Sequence, residues 1–117
     1  MTQQTPHEPR VCDAALSSAF RLLGKRWNGM ILSILTGGPA TFSELRRAVG
    51  GISDSVLSDR LSELGEAGLV DRTVDPGPPV SVGYRVTPAG AALLPVLEQL
   101  ASWAADHLPR PSDDGAC

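Results

Sequence analysis

The chain has little cysteine, no long apolar run and no surplus of positive charge. Each shortage removes a class of protein. Two cysteines, Cys12 and Cys117, among 117 residues are too few for a disulfide scaffold. Their spacing offers no zinc site. No apolar run approaches the roughly 20 residues that span a bilayer. The N-terminus is polar and lacks the basic-then-apolar order of a secretory signal, so the expected location is the cytoplasm and no membrane partner is expected. Neither histidine stands beside Cys12 in sequence, and His7 lies alone in a polar lead where a solvated side chain is the plainer reading. An enzyme is therefore the most distant reading, and nothing calls for a cofactor or a metal. The formal net charge is −3, from 10 Lys and Arg against 13 Asp and Glu. Any basic surface must then come from geometry, because DNA responds to a local field rather than to a sum.

What is present is 42% apolar and 20% charged, a normal composition for a globular chain, at a length that suits one domain with a small core. The expected organisation is a flexible lead over 1–10, one domain over 11–108 and a flexible tail over 109–117.

Residues 41–84 organise the rest. They read as helix, tight turn, helix, strand, loop, strand. Thr41-Phe42-Ser43-Glu44 spells a capping box. The helix it starts turns Leu45 and Val49 inward and Arg46 and Arg47 outward. Gly50-Gly51 stops it. Ser53 caps a second helix, with Ile52 and Leu57 as a hydrophobic staple. That helix puts Leu57, Leu61 and Leu64 on one stripe and Ser55, Ser58, Asp59 and Ser62 on the far side. Small polar side chains fit closely against a flat hydrogen-bonding surface, although an ordinary solvated face has the same composition. Strands expected over 69–74 and 80–86, joined by a turn over 75–79, make a β-hairpin. A hairpin directly after such a helix is the wing of a winged helix-turn-helix.

Helices are also expected over 11–23 and 27–35, the second apolar all round and so buried. Lys25 and Arg26 at its start could reach a phosphate or simply be solvated. Thr87-Pro88 opens a last helix over 89–107, with Pro95 as a possible kink. Most of its circumference is apolar, more than one side of a small domain needs. The expected fold is thus mainly α with a small β-hairpin wing, flanked by N- and C-terminal helices that dimerise. The expected interface holds Leu16, Phe20, Leu93, Leu97, Leu100, Trp103 and Ala104.

Cys12, Leu23-Gly24-Lys25-Arg26-Trp27, Ile31-Leu32, Phe42-Ser43-Glu44-Leu45-Arg46, Gly51-Ile52-Ser53, Val56-Leu57-Ser58-Asp59-Arg60-Leu61, Leu64, Gly68-Leu69-Val70, Arg72, Pro79, Tyr84, Thr87-Pro88, Gly90 and Trp103 follow in an order that resembles the HxlR-type transcriptional regulators, a branch of the MarR-like winged-helix proteins. The wing departs from the family pattern: a basic residue often follows the wing proline, and here Val80 and Ser81 do. The resemblance implies a homodimeric DNA-binding regulator of nearby genes, often a repressor. Its second motif helix enters the major groove of a pseudo-palindromic operator, with the hairpin beside the backbone. Arg46, Arg47 and Arg72 are the phosphate candidates. Arg60, at the edge of the buried stripe, anchors the helix or reaches a phosphate. Ser53, Ser55, Ser58 and Asp59 are the candidates near base edges.

Some members of that family respond to electrophiles or oxidants through a cysteine near the first helix, which makes Cys12 the sensor candidate. By position alone Cys12 is expected in the first turn of a helix, where unpaired N–H groups favour negative charge and Asp13 opposes it. A small buried cysteine that only packs is the plainer alternative. From another functional class, a winged helix used for protein contact without DNA also fits the acidic balance and the neutral wing.

Overall fold

The computed structural model describes residues 11–109. The expected lead over 1–10 with His7, and the tail beyond Pro109 with Cys117, lie outside them. Among the described residues the order is α1 (Ala14–Leu23), α2 (Asn28–Thr36), β1 (Ala40–Thr41), α3 (Phe42–Val49), α4 (Asp54–Glu66), β2 (Val70–Asp75), β3 (Ser81–Val86), α5 (Pro88–Ala91) and α6 (Leu94–His107). The chain is mainly helical with a small antiparallel sheet, the winged helix-turn-helix expected.

Local chemistry sets most boundaries. The N–H of Glu44 donates to Thr41 Oγ1 at 3.1 Å and the N–H of Thr41 donates to Glu44 Oε1 at 2.8 Å, so both bonds of the capping box form. The hydroxyl of Ser53 accepts from the N–H of Val56 at 3.2 Å and starts α4. Ile52 and Leu57, the staple pair, are both buried. At the far end Gly68 has φ +79°. That left-handed turn lets Leu69 N donate to Leu64 O and Gly68 N to Gly65 O, each at 3.0 Å, a Schellman closure.

Strands β2 and β3 pair antiparallel from Val70↔Val86 to Asp75↔Ser81. One strand was not foreseen. The two-residue β1 adds to the other edge of β3, with Ala40 opposite Tyr84 and Thr41 opposite Gly83, giving the order β1-β3-β2. Thr41 therefore ends a strand and caps a helix at once. At the base of the wing the Thr87 hydroxyl accepts from Gly90 N at 3.1 Å and donates to Gly68 O at 2.6 Å, while Thr87 N donates to Leu69 O at 3.0 Å. Gly90 sits there because a Cβ would collide with the Leu69 carbonyl.

The core joins Ile31, Leu32 and Leu35 of α2, Leu45 and Val49 of α3, Ile52, the Leu57-Leu61-Leu64 stripe of α4, and Val70. Neither α1 nor α6 contributes a buried residue. The single last helix expected over 89–107 is in fact two, α5 and α6, separated at Ala92 and Leu93. Pro95 explains the break. It has no N–H to offer the carbonyl four residues back, that of Ala91, and its ring crowds that carbonyl. It is instead accommodated in the first turn of α6. No helix among the described residues is long and apolar enough to cross a membrane.

Candidate nucleic-acid interface

The outer face of α4 carries Ser55, Ser58, Asp59 and Ser62, all exposed. Ser53 is exposed at its start, and its Oγ lies 3.5 Å from that of Ser55. Ser53 is thus committed as a cap, and its hydroxyl oxygen also lies beside one residue of the exposed face.

The five arginines of the winged-helix segment are not equivalent. Arg46 is paired with Asp54 across the helix-helix turn, Nη1 to Oδ1 at 2.8 Å. Arg60 is half-buried and 3.7 Å from Glu63, one turn on in the same helix. Arg85 reaches across the hairpin to Asp71 at 3.8 Å. Arg47 and Arg72 are exposed, and among the described residues neither has an acid within ion-pair distance. Three of the five arginines are paired with acids, and the two open cations share the segment with Asp59, Glu66 and Asp75, which have no cation within ion-pair distance among the described residues. The basic pair ahead of α2 is also committed within the protein: Lys25 Nζ lies 2.7 Å from Glu63 Oε2, and the Arg26 guanidinium stacks 4.4 Å from the Trp27 ring centre.

One site escaped the sequence reading. Asn28 is fully buried in α2. Its Nδ2 donates to Leu22 O at 2.9 Å and to Glu63 Oε1 at 3.2 Å. The hydrogen bonds from Lys25 and then Asn28, helped by the charges of Lys25 and Arg60, hold the Glu63 carboxyl below its ordinary range against the effect of partial burial. A lone amide inside an otherwise apolar helix was the available signal. Its partner 35 residues away left no local mark.

Cys12 requires two corrections. It stands before α1, not in its first turn, because Asp13 is the N-cap and accepts from Leu16 N at 3.0 Å. It is also exposed in the single chain, where the packing alternative expects it buried. Its Sγ lies 3.9 Å from the Asp13 carbonyl. Of the expected interface residues, Leu16 (54% exposed) and Phe20 (62%) on α1 and Leu100 (53%) and Trp103 (51%) on α6 lie open. Leu93 and Leu97 are instead half-buried against the chain's own core, and Ala104 is half-buried.

The family model described as HxlR-like helix-turn-helix matches residues 22–112. The chain belongs to the HxlR family. Its members are DNA-binding helix-turn-helix regulators of transcription, and that places this chain among regulators rather than enzymes. Among the described residues no group of three or more His, Cys, Asp or Glu is placed to hold a metal ion. The HTH-type transcriptional regulator YodB of Bacillus subtilis is 43% identical over 98 residues, 84% of this chain and 87% of that protein. The structure of reduced YodB superposes with a TM-score of 0.75 at 41% identity, covering 88% of this chain and all of that one. YodB has also been solved after diamide treatment and with quinone bound. The redox regulator HypR in its oxidized form, 28% identical, superposes with a TM-score of 0.76 over 84% of this chain and 99% of that one.

Proposed function

We propose that this HxlR-family chain is a cytoplasmic homodimeric repressor that binds a pseudo-palindromic operator and releases it when an electrophile or oxidant modifies Cys12. The observation that carries the reading is the exposed small-polar face of α4, in a unit that also holds two exposed cations, Arg47 and Arg72, with no acid within ion-pair distance among the described residues. Ser55, Ser58 and Asp59 then lie toward base edges, Ser53 caps the helix at the groove, and the open arginines neutralise phosphates.

Dimerisation is supported by the two flanking helices. Each packs one edge on the core and leaves large apolar side chains open on the other, Leu16 and Phe20 on α1 and Leu94, Val96, Leu100 and Trp103 on α6, a surface that suits a partner. Two-fold pairing would set half-sites about one helical turn apart, roughly 34–36 Å. The sensing part is supported by the exposure of the Cys12 thiol beside α1 and by the quinone-bound and diamide-treated forms of YodB. Modification next to a helix of the dimer contact would shift one subunit against the other and misfit both recognition helices to fixed half-sites.

The test is duplex binding across a salt series, before and after diamide or a quinone, in wild type and Cys12→Ser. Binding that falls with salt, is lost on treatment, and survives treatment in Cys12→Ser is the expected result. Affinity that is flat with salt would overturn the DNA reading in favour of a protein-contact module. Equal responses of the two proteins to treatment would overturn the sensor.

A further inference from the structure

We propose that Asn28 and Glu63 form a joint through which α1, and with it the dimer contact, sets the orientation of the recognition helix on DNA. The proposal rests on the DNA-binding reading above. One buried amide makes both connections: Asn28 Nδ2 holds the carbonyl of Leu22 in the last turn of α1 and the carboxylate of Glu63 on α4. A buried amide is costly unless its hydrogen bonds are made, so these two contacts are maintained rather than incidental. Lys25 grips the opposite oxygen of the same carboxylate from the loop between α1 and α2. Glu63 directly follows Ser62 and stands one turn beyond Asp59, on the flank of the exposed face of α4.

The remainder of α1 is not packed flat on α4. A groove of ≈ 340 Å³ lies between them, lined by Ser18, Arg21 and Leu22 from α1 and Glu63 and Ala67 from α4. A tilt of α1 therefore has room. When it carries the Leu22 carbonyl, it must either break the Asn28 bond or carry Glu63 along. Among the described residues, two buried polar atoms beside the joint have no hydrogen-bond partner, the acceptor Asn28 Oδ1 and the donor Arg60 Nε. They are complementary, and both residues meet at Glu63 Oε1. A small shift that paired them would give the joint a second bonding pattern. Two discrete patterns, each tied to a position of α1, are what a switch between DNA-competent and incompetent dimers requires.

Asn28→Leu cuts both bonds at similar volume and unchanged charge, and Glu63→Gln is the milder partner. Wild-type protein first selects a preferred duplex from a randomised pool. Each protein is then titrated with that duplex, with versions whose half-sites are one base pair closer or farther apart, and with random duplex. Thermal melts accompany both variants. The readout is the ratio between duplexes, which cancels the added charge of Glu63→Gln. Loss of discrimination between the selected spacing and the altered ones, by about two- to thirty-fold in both variants, is the expected result. A residue with a merely structural role would lower the melting temperature and leave the spacing ratio unchanged, and that outcome would overturn the joint. Failure of the wild type to select any duplex would overturn the DNA reading beneath it, and the joint with it.

Discussion

Arg46 is the place where sequence and structure give different causes for the same loss. As an outward arginine on the first motif helix it is a phosphate candidate, and Arg46→Ala should then weaken binding because a cation is lost. Its guanidinium lies 2.8 Å from Asp54, in the first turn of the recognition helix, with side-chain exposures of 49% and 63%. The pair presents no net charge to DNA. Arg46→Ala unmasks a carboxylate at the surface proposed to meet the groove. Asp54→Asn frees a cation there. In the proposed interface, a unit charge about 7 Å from a phosphate is worth about 0.6 kcal/mol in bulk-water dielectric, and two subunits make that roughly eightfold in affinity. Folding changes little, since an exposed ion pair contributes about 0.2–1 kcal/mol. Fluorescence anisotropy on a random-sequence duplex, at two salt concentrations, reads all four corners of the cycle. The expected order is Asp54→Asn tightest, wild type and the double variant alike, and Arg46→Ala weakest. A double variant as weak as Arg46→Ala would refute the masking argument and return Arg46 to direct phosphate contact.

Further outcomes are expected. Leu100→Asp places an unpaired carboxylate in the proposed dimer contact and should shift the protein to monomer at micromolar concentration in sedimentation, at a cost of several kcal/mol to association; Leu97→Asp should also disturb folding, because Leu97 packs on the core. The carboxyl of Glu63 is held below its ordinary value of 4.5, so its contribution to stability is complete above that value and is lost as pH falls through the lowered folded one. Melting temperatures from about pH 6 to about pH 3 should therefore show wild type losing its advantage over Glu63→Gln in acid, and a gap independent of pH would contradict the network. Gly90→Ala should destabilise by roughly 1–3 kcal/mol through collision with the Leu69 carbonyl. Gly65→Ala, whose Cβ would lie 3.7 Å from the Val70 carbonyl, should be neutral or stabilise by up to about 1 kcal/mol in denaturant titrations.

Signals confined to one helical turn were legible. Thr41 and Glu44, Ser53 and Val56, Ile52 and Leu57, and Thr87 with Pro88 each state a boundary within five residues, and the chain obeys them. The Leu57-Leu61-Leu64 stripe likewise located the core side of α4, which left its polar face to be read directly. What failed to show depends on partners distant in sequence. The pairing of Ala40 with Tyr84 needs the whole motif folded first. The Lys25–Glu63 pair spans 38 positions, so a basic pair that could reach phosphate turned out to serve the protein itself. Cys12 failed for a different reason: Asp13 is the better cap, and a shift of the helix start by three residues moves the thiol from the first turn to the position just before the cap. Pro95 was noticed, but whether a proline bends a helix or divides it depends on whether the flanking turns can close by themselves, as α5 does with its own cap.

The closure at Thr87 leaves only the tip of the wing free of the domain. The two ends of the hairpin, 19 residues apart in sequence, are stitched together by the Thr87 hydroxyl on Gly68 and the Thr87 amide on Leu69. Its base is held further by β1 at Gly83 and Tyr84 and by Val70, Tyr84 and Val86 against the core, so the exchangeable part is the turn between Asp75 and Ser81. A longer, shorter or more basic tip can be exchanged there without disturbing the leucines beneath. The neutral Val80-Ser81 tip is therefore a setting rather than a constraint of the fold. Transplanting a lysine-bearing tip onto this chain is the most direct way to raise its grip on DNA while leaving the serine face of α4, and so the sequence preference, as it is.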